Sequence, residues 1–232
     1  MRLCGINSRQ IVNKDEIIAS NNEELGMGML NKVQNWLEER KVQKELRRWE
    51  AKGHPCPPPH RIKQEALCKY RDQFGTRILV ETGTFRGDMM HAMAGQFDQL
   101  YSIELSEQLF QKAKERFQDR PHVTILQGDS GRVLGDLIPK LSSTTLFWLD
   151  GHYSAGETAK GEKDTPIYEE LAHILDDQRF QHIVLVDDAR LFGTDPSYPK
   201  YEEIESFVKN RRPQYSLHIE TDSIRILPHD QA

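Results

Sequence analysis

The chain has 232 residues, a formal net charge of −5 and 37% hydrophobic residues, enough for one α/β domain with an appendage and short for two full domains. The acidic balance argues against a broad nucleic-acid surface and makes a small or neutral molecule the default partner. No apolar run has the length of a signal-peptide core or a membrane span, and Cys4, Cys56 and Cys68 show no CxxC spacing, so a cytoplasmic protein with reduced thiols is expected.

In chain order, residues 1–23 are polar and weakly patterned. Leu30, Val33, Leu37, Val42, Leu46 and Trp49 then fall near helical spacing among interleaved charges. This predicts an amphipathic helix that packs on the main domain or on a second subunit, giving a homodimer. Gly53 stops it, and "HPCPPPH" reads as a stiff linker, so an N-terminal extension over 1–60 and a main domain over 61–232 are expected. His54, Cys56 and His60 lie in that linker without a fourth ligand nearby and are not read as a metal site.

From residue 61 the pattern alternates: helix 61–73, strand 77–82, helix 87–96, strand 100–104, helix 106–117, strand 122–127, helix 131–140, strand 145–150, a long loop, helix 166–177, strand 182–187 and helix 200–210. Several strands ("ILV", "LFWL", "IVLV") are almost wholly apolar, as strands covered on both faces must be. The fold class expected is α/β, a doubly wound Rossmann-like sheet of seven mostly parallel strands. The end of the chain, "YSLHIETDSIRILP", reads as a hairpin centred on Glu220-Thr221-Asp222-Ser223.

Ligands of such sheets collect at the carboxyl ends of the strands, and the residues there are chemically distinctive. Glu81, Gly83 and Gly87 follow the first strand, Glu104 ends the second, Gly128-Asp129-Ser130 follow the third, Asp150-Gly151 the fourth and Asp187-Asp188 the fifth. The first loop lacks the G-x-G-x-x-G spacing of dinucleotide sites and there is no P-loop, while Glu81 at its entrance would repel a pyrophosphate. A ligand with an amine and a cationic centre would instead be attracted.

E-x-G-x-x-x-G after strand one, an acid closing strand two and G-D-S after strand three resemble the motifs of class I S-adenosylmethionine-dependent methyltransferases, over about residues 75–227. The resemblance implies an antiparallel strand inserted by the terminal hairpin. It implies that Gly83, Thr84 and Gly87 let the backbone approach the methionine part of the cofactor, with Glu81 orienting that end. Glu104 would accept from both ribose hydroxyls, and Asp129, with Ser130 beside it, would take the adenine amino group. Taken singly, these residues also suit a tight turn, helix caps and a surface carboxylate.

Asp150, Asp187 and Asp188 at neighbouring strand tips would repel one another unless a cation sits between them, and oxygen-only ligation suits Mg²⁺. This arrangement resembles metal-dependent small-molecule O-methyltransferases of the catechol and macrolide-sugar types. The other reading is that one aspartate caps the next helix or pairs with Arg190. The general base is expected among Asp150, His152, Lys160 and Lys163. The glycine-rich stretch "GHYSAGETAKGEKDTPI" reads as a substrate lid. The place after strand four reads Asp150-Gly151-His152-Tyr153, and it departs from the Asn/Asp-Pro-Pro-aromatic stretch of nucleic-acid amine methyltransferases. The expected activity is therefore O-methylation of a small hydroxylated metabolite, assisted by magnesium. The alternatives are a metal-independent methyltransferase or a non-catalytic scaffold of the same fold.

Overall fold

A computed structural model describes residues 36–151 and 166–229. The chain divides into two compact units, Met1–Gly53 and His54–Ala232. In the first, residues 36–51 form helix α1, whose interleaved charges pair along one face, as in Lys41 with Glu38 at 2.8 Å. In the second, the run of prolines is not a free linker, because Pro58 and Pro59 are buried.

The second unit contains α2 (His60–Phe74), β1 (Ile78–Thr82), α3 (Asp88–Met93), β2 (Gln99–Glu104), α4 (Glu107–Arg116), β3 (Val123–Gln127), α5 (Ser130–Leu137), β4 (Thr145–Leu149), α6 (Ile167–Asp176), β5 (Ile183–Val186), α7 (Tyr201–Arg211), β6 (Tyr215–Glu220) and β7 (Ser223–Pro228). The expected elements are all present, with shifts at their ends that have local causes. The helix expected over 87–96 ends at Met93, where Gln96 N–H turns back to the Met93 carbonyl at 2.8 Å around Gly95. The helix expected over 131–140 tightens into a 3-10 turn at Ile138–Lys140, because Pro139 has no N–H to continue the α-helical ladder.

The seven strands lie in the order β3-β2-β1-β4-β5-β7-β6. β1 to β5 pair in parallel, and β7 pairs antiparallel with both β5 and β6. The hairpin that inserts β7 turns on Thr221 and Asp222, both at positive φ (48° and 59°), the backbone that two-residue hairpin loops require.

Each face of the sheet carries its own apolar layer. Leu67 and Tyr70 of α2 and the methionines of α3 pack on Leu79, Leu100, Trp148 and Leu185. On the opposite face Leu134, Leu171, Ile174 and Ile204 pack on Val80, Ile103, Phe147 and Val184. Side chains alternate along a strand, so Glu81, Asp150 and Asp187 continue the rows begun by Leu79, Trp148 and Leu185. All three leave the sheet on the α2 side.

Candidate functional site

The order of strands reverses between β1 and β4, and the crevice over their carboxyl ends is where a doubly wound sheet binds ligands. Gly83 is required at this junction. Its φ is +83°, and a Cβ there would lie 2.4 Å from the Asp150 carbonyl oxygen, so the loop after β1 and the end of β4 touch backbone to backbone.

A hydrogen-bonded chain fixes the rest of that loop. Thr84 Oγ1 and Ser102 Oγ are 2.6 Å apart, and the Ser102 hydroxyl donates to Glu81. Phe85 N–H donates to Glu104 Oε2 at 2.8 Å and Ser106 N–H to Glu104 Oε1 at 2.9 Å. Glu104 thereby ties the loop after β1 to the start of α4, and each of its oxygens keeps a second lone pair for a ligand. Gly87 takes the cap position of α3, and Asp88 beside it pairs with Arg116 at 2.7 Å.

Glu81 is 2% exposed, and burial, only partly offset by the Ser102 hydrogen bond, pushes its carboxyl up to about 8. The charges that act on it, Glu104 and Asp88, are both negative and raise it further. A buried carboxyl in this setting stays neutral until a cation arrives.

Asp129 occupies the N-cap of α5, but its side chain makes no capping bond. The helix-capping explanation for this residue therefore does not apply. Ser130 next to it is buried. Sequence reasoning passed over two residues nearby. Phe85 is held at φ +49° and is 40% exposed. Glu170 of α6 is fully buried; burial pushes it up to about 7 against the lowering effect of the Ser130 and Thr82 hydroxyls. A buried glutamate on a helix has no local sequence signal, because one polar residue on an apolar face is invisible to periodicity.

Two of the three aspartates expected to hold magnesium, Asp187 and Asp188, are paired with cations of the chain itself. Lys63, in the first turn of α2, donates its ammonium to Asp187 Oδ2 and lies 4.0 Å from Asp188 Oδ1. Asp188 pairs with Arg190 at 2.8 Å, and Arg190 also binds the Asp222 carboxylate of the hairpin turn. Among the described residues no three His, Cys, Asp or Glu side chains gather closely enough to hold a metal ion. The expected Mg²⁺ is not supported by this donor set, for a physical reason: the cation between the carboxylates is an ammonium carried by the chain itself. The Arg190 pairing weighed from the sequence is present. Burial, the largest single influence, opposes the charge on Lys63, but the Asp187 charge and hydrogen bond together with the charges of Asp150 and Asp188 outweigh it and raise the Lys63 pKa. Asp150 is pushed well above the usual carboxylate range, first by burial and then by the charge of Asp187. His152, Lys160, Lys163 and the expected lid lie outside the described residues.

No protein-family model matches the sequence, and no curated protein matches it. Solved structures do match the fold. A Bacillus cereus O-methyltransferase in complex with SAH aligns with TM-score 0.53 and 13% identity, over 80% of this chain and 90% of its own. The O-methyltransferase TomG of Streptomyces achromogenes, involved in tomaymycin synthesis and solved with SAM, gives 0.52 and 17%, over 81% and 89%. The fold is that of class I methyltransferases. An rRNA methylase from Clostridium thermocellum gives 0.50 and 12%, over 70% and 94%, so the methyltransferase fold by itself does not select an acceptor. Within this fold, Glu81, Gly83, Thr84, Gly87, Glu104, Asp129 and Ser130 share the edge formed by β1, β2 and the start of α5, and Asp150 stands at the end of the neighbouring β4. No helix among the described residues is long and apolar enough to cross a membrane.

Proposed function

We propose that the chain is an S-adenosylmethionine-dependent methyltransferase that methylates an oxygen of a small hydroxylated metabolite without a bound divalent ion. The observation that carries this reading is Glu81, a carboxyl 2% exposed and raised to about 8, beside a glycine turn at the switch point, with the negative charges of Glu104 and Asp88 raising it further. Such a group suits the cationic end of a ligand.

When bound, S-adenosylmethionine supplies an electrophilic methyl group on a sulfonium sulfur. Glu81 holds the ammonium of its methionine part, and Gly83 leaves room for the backbone to approach. The second lone pairs on Glu104 accept from the ribose hydroxyls, and Asp129, its side chain not spent on the helix cap, accepts from the adenine amino group. Asp150, whose carbonyl abuts Gly83, takes the proton that the acceptor hydroxyl loses; its raised pKa brings it nearer to the operating pH of a general base.

Two features favour a small oxygen acceptor over nucleic acid. The net charge is −5, and Asp150-Gly151 replaces the proline-rich stretch of nucleic-acid amine methyltransferases. Magnesium assistance is set aside in favour of the metal-independent alternative because Lys63 and Arg190 already pair with Asp187 and Asp188.

The test is transfer of a labelled methyl group from S-adenosylmethionine, with excess chelator, to a panel of hydroxylated small molecules, with RNA as the comparison. Transfer to a small hydroxyl compound supports the proposal. Transfer to RNA alone overturns the acceptor class, and no S-adenosylhomocysteine binding at millimolar concentration overturns the cofactor.

A further inference from the structure

The aspartates at the ends of β4 and β5 face the N-terminus of α2, and that end of the helix is unusual. Its first turn contains no acidic residue, although acids are favoured there by the positive end of the helix dipole. It carries Lys63 instead, a placement that the dipole opposes. Two opposing charges compensate: Asp187, 1% exposed, accepts from the Lys63 ammonium, and Asp188 Oδ1 lies 4.0 Å away. The Lys63 nitrogen also stands 6.0 Å from the centre of the buried Trp148 ring on β4, within reach of a cation–π contact.

Two cations carried by the chain already stand at these strand tips. Asp187 and Asp188 meet two unit positive charges, Lys63 on the α2 side and Arg190 beside Asp188. The two sources differ in what remains free. Arg190 is divided between Asp188 and Asp222. Lys63 has three donors, gives one to Asp187, and its side chain is 15% exposed. An ammonium fixed at the carboxyl edge of the sheet, partly open and backed by a buried carboxylate, is a hydrogen-bond donor for an incoming oxygen.

We propose that Lys63 takes the place of a hydrated divalent ion at the Asp187 and Asp188 strand tips, and that its ammonium positions the oxygen of the methyl acceptor. This rests on the acceptor side of the methyltransferase reading. The specificity it confers is for an oxygen that accepts a hydrogen bond, with Asp187 holding the ammonium in place rather than touching substrate.

The probe is Mn²⁺ alone, followed by its electron paramagnetic resonance signal and by thermal melting of the full chain. The wild-type protein should bind no Mn²⁺ below about millimolar concentration, the range of weak oxygen-ligand sites. Lys63→Ala frees the aspartates and should gain one Mn²⁺ site, with a melting temperature that rises on adding the metal. Adding Asp187→Asn to Lys63→Ala should abolish that gain. If Lys63→Ala is too unstable to purify, Lys63→Ser serves the same comparison, and the wild-type titration stands in either case. Mn²⁺ bound by wild type and lost in Asp187→Asn overturns the proposal, and so does a variant lacking Lys63 that gains no metal. S-adenosylhomocysteine affinity, measured in parallel, should stay within about twofold in the Lys63 variants, since a displaced cation-holding role leaves the cofactor seat intact. Loss of that binding in the wild type itself would count against the methyltransferase reading and leave the metal result to judge Lys63.

Discussion

Binding of S-adenosylhomocysteine at neutral pH should release close to one proton, and Glu81 should be its source. A carboxyl raised to about 8 is neutral in about nine of ten molecules at pH 7. The ammonium of the ligand brings an opposite charge to the carboxyl, and this favours the carboxylate. The expected release is about 0.9 proton at pH 7, falling to about 0.1 at pH 9, where the group is ionised before the ligand arrives. The sign for stability follows the same shift. A carboxyl raised in the folded state holds a proton that the unfolded chain has given up, so stability is fully present below the unfolded value of 4.5 and declines as pH rises through about 8. Calorimetry in buffers of different ionisation enthalpy measures the release as the slope of observed heat against buffer enthalpy. Glu81→Gln should flatten that slope. A slope of zero in the wild type at pH 7, or the same slope in the variant, would refute this account of the carboxyl.

Glu104→Ala removes the acceptor of two backbone N–H groups at 2.8 and 2.9 Å together with the ligand-facing lone pairs. S-adenosylhomocysteine affinity should fall by about 1.5–3 kcal/mol, roughly ten- to hundredfold in Kd; an unchanged titration would remove Glu104 from the cofactor seat. Gly83→Ala places a Cβ 2.4 Å from the Asp150 carbonyl at φ +83°. The backbone strain alone costs about 1–2 kcal/mol, so the melting temperature should drop by roughly 2 °C or more with weaker ligand binding. A melting temperature equal to that of wild type would mean that the two backbones are not in contact.

The alternation of strands and helices was legible because most of the sheet is buried on both faces and its strands read as apolar runs. The hairpin was legible because Thr221-Asp222 sits between two strand-like runs and takes the turn backbone they need. The cofactor-side residues were legible because each stands immediately after a strand, where chain order and spatial order coincide. Lys63 was not. It precedes Asp187 by 124 residues, and a lysine in an amphipathic helix is ordinary by every local criterion. A like-charge cluster signals that some cation must be present, but the sequence does not say whether it is an ion from solution or a side chain delivered by packing. The end of α5 was misjudged where a single residue, Pro139, decided it.

The central claim, a cofactor seat built from Glu81, Gly83 and Glu104 at the switch point, is tested most directly by a crystal structure of the full chain with S-adenosylhomocysteine. The account predicts the ribose hydroxyls within hydrogen-bond distance of Glu104 and the ammonium of the ligand on the Glu81 side of the glycine turn. A ligand seated elsewhere, or one whose amine lies away from Glu81 while Glu104 keeps only its backbone partners, would contradict it.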